Sequence, residues 1–330
     1  MTHPRTLPPK CLHLAVRAVP KAPLPRRWQV ALEMLAAAAI TGHFPQRRRP
    51  RGTMAPWLSG DGLRAQCQHV LDERHRRRPG PVRPGDAVFV QAPFLELFRR
   101  EFLPGIRAPF VLVSADSDLE APGRHEALLD DPRLLGWFAI NVTRAHPRLH
   151  PVPIGVYDDR RQHAVLSAAL ARPPRPRDIR VLGAFDPATH PERDAVRTRL
   201  AAFPGVTSVR RAPCGEYFRL LRRSRFVLSP RGAGLDCYRT WEALLCGAIP
   251  IVRTSPLDRL YAGLPVLVVH DWAEVTDGRL KEAEAALGAV PVDESPLLLA
   301  TWAARIAAVQ ASGREDRASA APTPRWSAVS

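Results

Sequence analysis

The chain has 330 residues, 45% hydrophobic and 24% charged, the composition of a soluble globular protein long enough for two domains with separate cores. Its formal net charge is +16, yet residues 1–53 hold ten Lys/Arg against the single acid Glu33, which leaves +7 for the remaining 277 residues. The excess charge therefore belongs to a Pro/Arg-rich head, and no specific nucleic-acid partner is expected.

The five cysteines (Cys11, Cys67, Cys214, Cys237, Cys246) are odd in number and form no C-x-x-C pair, so neither a disulfide framework nor a structural zinc site is expected. A reducing, cytoplasmic setting follows. The apolar run Val30 to Ile40 is too short for a bilayer and carries Glu33. No signal peptide is read. Residues 1–53 are expected to be a disordered head, with peripheral contact to anionic headgroups as its one candidate role. Organised sequence begins at Met54.

From Trp57 to Asp72 the pattern predicts a helix, and Arg74–Asp86 a solvated linker. Ala87–Gln91 is strand-like and Ala92–Gly105 a short helix. Pro109–Asp118 reads as a buried strand running into an acidic loop, followed by short strands at Gly136–Asn141 and His150–Gly155. The Pro-rich stretch Ala171–Asp178 is the best domain boundary, separating an N-terminal domain over 54–170 from a C-terminal one over 178–311. The second half repeats the alternation. Strands are expected at Ile179–Phe185, Val206–Arg211, Arg225–Ser229, Ala248–Val252 and Leu264–Val269. Helices are expected at Pro191–Ala202, Cys214–Ser224 and Ser295–Ala311, with a disordered tail over 312–330. Alternating apolar runs and helices imply α/β domains with parallel sheets.

The most informative segment is SPRGAGLDCYRTWEALLCGAIPIV, Ser229–Val252. Placed after a strand, its glycines form a strand-to-helix turn, Asp236 is a natural N-cap, and Gly247 ends the helix. A helical wheel puts Trp241, Leu244 and Leu245 on a packing face and Arg239 and Glu242 roughly opposite, toward the crevice where open α/β sheets bind ligands. Glycines at a helix N-terminus admit phosphate to backbone N–H groups. Arg231 and Arg239 suit a diphosphate, and Glu242 suits a ribose diol. Spacing alone fits a capped helix with an Arg239–Glu242 ion pair equally well. The pattern is neither G-x-G-x-x-G nor a Walker loop.

This segment, with TSPLDRLYAGLPVLVVHDWAEVT after it, resembles the exostosin-like glycosyltransferases (glycosyltransferase family 47 and relatives, including ribitol xylosyltransferase-like proteins). FVLVSADSD, WFAIN and VPIG are similar to upstream family segments, and the resemblance spans roughly residues 85–305. It implies a GT-B fold, two facing Rossmann-like domains, and transfer of a sugar from a nucleoside diphosphate, most simply a UDP-sugar, to a glycan or other hydroxyl acceptor. It further implies inversion, no metal, and donor contacts from Ser229, Arg231, Gly232, Gly234, Asp236, Arg239, Glu242 and Arg193. Polysaccharide assembly on the cytoplasmic face fits this reading. An inverting reaction needs a general base, for which Asp118 is the first candidate and Asp116 its neighbour. Here the chain departs from the family, because Ala115 stands where a histidine is usual. His125 and His146 read as surface loop residues, Trp241 and Tyr261 as core, and Asp271-Trp272 as a structural corner. A fucosyltransferase-like GT-B enzyme or a non-catalytic nucleotide- or carbohydrate-binding relative are the alternatives.

Overall fold

The computed structural model describes residues 54–75, 80–200 and 203–319, so the basic head and residues 320–330 lie outside the described residues. The described residues belong to one compact unit built on two five-stranded parallel sheets.

The first sheet runs β1 (His69–Leu71), β2 (Asp86–Val90), β3 (Phe110–Ser114), β4 (Leu134–Ala139) and β5 (Leu149–Pro151), neighbours in chain order. β2 and β3 are buried along their whole length, which explains their unbroken apolar runs. The helix expected over 57–72 is only α1 (Gly60–Ala65), capped by the Ser59 side chain accepting from Gly62 N–H. Beyond it the chain turns into β1, because Gln68 pairs with Ala87 through both its backbone and its side chain and recruits His69–Leu71 to the sheet edge. Tertiary pairing overrides the local helical pattern.

The second sheet comprises β6 (Ile179–Ala184), β7 (Val206–Val209), β8 (Ser224–Leu228), β9 (Ile249–Arg253) and β10 (Leu267–Val269), in the spatial order β10-β9-β8-β6-β7. The chain moves outward from β6 to β7, then returns past β6 to continue through β8. Between β6 and β8 lies a topological switch point, where open α/β sheets form a crevice outside the strand carboxyl ends. Helices α3 (Pro191–Leu200), α4 (Cys214–Arg223) and α5 (Tyr238–Leu245) follow β6, β7 and β8 in turn.

Two helices cross between the halves. α2 (Arg160–Leu170), absent from the sequence expectation, packs against α4 of the second half. Asp159 caps it, accepting from the N–H groups of Arg161 and Gln162. At the other end, α7 (Leu299–Ser319) returns to lie on β2, β3, β4 and α1 of the first sheet. It extends through residues expected to be a disordered tail. A further helix, α6 (Asp277–Leu287), was also not expected and is capped by Thr276.

The carboxyl edges of the two sheets face each other, the opposition expected of a GT-B architecture. The contact between them is specific. Asn141, just beyond β4, receives the Asp236 N–H on its Oδ1 (2.8 Å), and its Nδ2 donates to the Ser117 carbonyl (3.2 Å). Asn141 is fully buried and holds φ 53°, a left-handed conformation that asparagine tolerates better than other side-chain-bearing residues. No helix among the described residues is long and apolar enough to cross a membrane.

Candidate active site

The segment 229–252 folds as a loop and a helix at the switch point. α5 begins at Tyr238 with Cys237 at its N-cap position, not Asp236. Asp236 has a different task. Its buried carboxylate accepts from the Ile154 N–H (2.8 Å), the Cys237 N–H (2.7 Å) and the Trp241 indole (2.9 Å to each oxygen). Burial pushes its acid up to about 6, against the lowering effect of those hydrogen bonds. Asp236, expected among the donor contacts, thus ties the second half to Ile154 of the first, with both carboxylate oxygens engaged within the protein. Trp241 and Tyr261 are core residues as expected, their rings 5.7 Å apart.

Two arginines meet at the switch point. Arg193, on α3, is 93% buried, with Nε donating to the Arg231 carbonyl (2.8 Å) and Nη2 reaching Cys237 Sγ (3.5 Å). Arg239, on α5, donates from Nε to the Ala184 carbonyl at the end of β6 (2.8 Å), while its buried Nη1 has no hydrogen-bond partner. Both guanidinium groups lie over the Phe185 ring, at 5.9 and 5.5 Å. Burial first, then the neighbouring Arg239 charge, lowers the Arg193 pKa. Two guanidiniums around one ring, each feeling the other's charge, give this end of the sheet a positive potential that favours an anionic ligand. Gly232 lets the Arg193 guanidinium lie against the loop, since a Cβ there would stand 2.9 Å from its Nη2. Arg231 pairs at 3.6 Å with Glu120 of the opposite half, and its Nε is buried without a partner.

Glu242, expected to bind ribose, is only 3% exposed. One carboxylate oxygen accepts from Gln162 Nε2 (2.9 Å) and the other from the Tyr217 hydroxyl (2.7 Å). Burial raises its pKa. The wheel set Glu242 opposite the packing face and toward the crevice, but α2, which brings Gln162, covers it, so what looked like an open face is a helix interface. Ser229 is likewise structural: its hydroxyl bonds to Thr240 (2.8 Å) and its N–H to the Ile251 carbonyl (2.9 Å).

The acidic loop after β3 lies opposite. A Cβ at Gly234 would be 3.0 Å from Asp118 Oδ1 and 3.1 Å from Asn141 Nδ2, so the glycine lets the two halves close. Asp116 has φ 57°, and together with Asp158 it leaves no room for a side chain at Gly60. The Tyr238 phenol is pushed well above its ordinary value by burial and by the Asp158, Asp116 and Asp118 carboxylates beside it. Three acids thus converge near the start of α5. Asp158 was not singled out from sequence, since nothing marks its loop until Gly60 folds against it. Among the described residues no group of side chains forms a metal-ligating cluster.

The histidines differ from expectation. His125 is buried, 3.7 Å from Glu96, and burial with the Arg124 charge lowers its pKa to about 4. His146 is half-buried, its Nδ1 accepting from the Arg148 N–H. Neither reaches the cleft contacts above. Asp271 caps a short turn in a capping box with Glu274, the structural corner expected of it.

Two cavities flank the loop. One, about 250 Å³, lies by the ends of β8 and β9 and is lined by Ser229, Arg231, Thr240, Arg253, Ser255 and Tyr261 among others. The other, about 360 Å³, lies by the ends of β6 and β7, with Gly183, Phe185, Leu200, Val206, Ser208 and Arg210 in its wall.

The RXYLT1 C-terminal domain family matches residues 206–288, from β7 through α6 and across the whole 229–252 segment. This match supports a glycosyltransferase. No curated protein matches the chain significantly. Among solved structures the chain is similar to a UDP-forming α,α-trehalose-phosphate synthase from Burkholderia xenovorans (13% identity, 70% of each chain, TM-score 0.35). It is also similar to trehalose-phosphate synthases from Burkholderia multivorans (12%, 74% of each chain, 0.39) and Burkholderia vietnamiensis (14%, 73% of this chain and 75% of that one, 0.36). At these identities and scores they say nothing about substrate.

Proposed function

We propose that the protein is a metal-independent, inverting glycosyltransferase using a nucleoside-diphosphate sugar, a UDP-sugar first among the candidates. The observation that carries this reading is the meeting of Arg193 and Arg239 over Phe185 at the switch point, with Asp118 against Gly234 on the facing edge. The guanidiniums, with Arg231, meet the charge that develops on the departing diphosphate. Asp118 takes the proton from the acceptor hydroxyl as that oxygen bonds the anomeric carbon and the carbon–oxygen bond to the diphosphate breaks. The products are the glycoside, the nucleoside diphosphate and a protonated Asp118. Asp116 and Asp158 keep the surrounding loop negative. Glu242 holds α2 and α4 against α5, and a ribose contact from it requires Gln162 or Tyr217 to move aside.

The domain division proposed at 171–178 is then crossed by α2 and α7, which fixes the halves relative to each other. A reducing, cytoplasmic setting at the membrane face suits Cys67, Cys214, Cys237 and Cys246, which are unpaired among the described residues. The reading is tested by thermal shift against a nucleotide panel. A nucleoside diphosphate should raise the midpoint in wild type and not in Arg239→Ala. No shift with any nucleotide would remove the donor-site assignment.

A further inference from the structure

The cavity at the ends of β6 and β7 is not used by the mechanism above, and its walls have a chemistry of their own. Its floor is apolar, made by Phe185, Leu200, Val206 and Leu228. Arginines stand at its rim: Arg197, paired with Asp194 at 2.8 Å, and Arg210, which with Arg211 shares Asp186 at 4.0 and 3.2 Å. At about 360 Å³ it falls at the lower end of the roughly 300–1,000 Å³ typical of small-molecule sites.

Gly183 borders the space from inside β6. It sits inside β6 without a left-handed φ, and a Cβ there would meet Leu228, Phe185 and Ser208 at 3.6, 3.7 and 3.8 Å, ordinary contact distances. Neither backbone conformation nor crowding demands glycine at this position. A glycine inside a strand is a common mark of close approach by a ligand. Phe185 joins this space to the charged site, since the same ring walls the cavity and underlies Arg193 and Arg239.

We infer that this cavity is the seat of the donor's nucleobase, with the planar ring against Phe185 and the floor, and the diphosphate leading out to Arg193 and Arg239. The inference rests on the nucleotide-sugar reading and locates its base. The cavity by β8 and β9 is a poorer seat, because hydroxyls and charged side chains dominate its lining.

The test is calorimetric titration of the full chain with UDP, GDP and inorganic pyrophosphate. Gly183→Val places methyl groups in the hollow and suits a strand, and Ser208→Phe plugs the mouth from the exposed edge strand β7. Both variants should keep the wild-type circular dichroism and melting midpoint. Each should lose at least tenfold in affinity for the nucleoside diphosphate that wild type binds, while pyrophosphate affinity stays within twofold. Arg239→Ala should weaken both ligands. Nucleotide binding unchanged in both folded variants would overturn the base assignment and leave the donor reading standing. If wild type binds pyrophosphate but no nucleotide, or binds neither, the donor reading fails and the base assignment with it.

Discussion

Replacing Asn141 with alanine probes the joint between the two sheets. The side chain is fully buried, receives the Asp236 N–H and donates to the Ser117 carbonyl. Truncation strands both groups, at about 1–3 kcal/mol for a buried orphan and near the low end for the half-buried Ser117 carbonyl. Alanine at φ 53° adds about 1 kcal/mol that asparagine largely escapes. The sum is a loss of about 3–5 kcal/mol, a large share of the stability of an ordinary domain. Asn141→Gly loses the same hydrogen bonds but not the backbone cost, so it should be about 1 kcal/mol more stable than Asn141→Ala. Urea unfolding followed by tryptophan fluorescence reads both differences. An alanine variant within about 1 kcal/mol of wild type, or a glycine variant less stable than the alanine one, would refute the claim that Asn141 latches the halves.

The remaining predictions concern the buried acids and the cation pair. The folded-state pKa of Asp236, raised to about 6, means the native state holds a proton that the unfolded chain has lost above about pH 4. Its contribution therefore falls as pH rises from about 4 to 6, by about 3 kcal/mol, and is flat beyond. Asp236→Asn should remove that slope, seen as a shallower fall in unfolding free energy over this range; an unchanged slope would contradict the assignment. Trp241→Phe removes the indole donor to Asp236 and should cost about 1 kcal/mol by the same urea measurement, more at pH 7 than at pH 5. Tyr217→Phe leaves one oxygen of Glu242 without its donor and should lower stability by about 1–3 kcal/mol, with nucleotide affinity within threefold of wild type.

The alternation of apolar runs made both sheets legible, because parallel strands buried on both faces, such as Phe110–Ser114 and Phe226–Leu228, read as unbroken hydrophobic stretches. The end of α5 was legible too, since Gly247 adopts φ 70° where the helix stops. The crossings of α2 and α7 were not, because periodicity identifies an apolar face without saying which sheet covers it. Glu242 shows the consequence: the wheel set it on an open face, and its neighbours Gln162 and Tyr217 come from segments 80 and 25 residues away. Asp236 carried a cap residue's sequence position and took on an interdomain bond, since Ile154 N–H had no other means of being read as its partner. Asn141 and Asp158 acquire meaning only when the two carboxyl edges meet. At the level of chemistry, Arg193, Arg231 and Arg239 are named from sequence as donor contacts, while the cavity beside Gly183 depends on what surrounds it in three dimensions.

The central claim is tested most directly by following release of nucleoside diphosphate from a panel of nucleotide sugars, in wild type and Asp118→Asn, with donor binding measured alongside. Wild type should release nucleoside diphosphate from one class of donor, and Asp118→Asn should bind that donor within threefold of wild type while losing at least a hundredfold in turnover with acceptor. Binding without turnover in wild type across a panel of donors and hydroxyl acceptors, or full turnover in Asp118→Asn, would contradict the account.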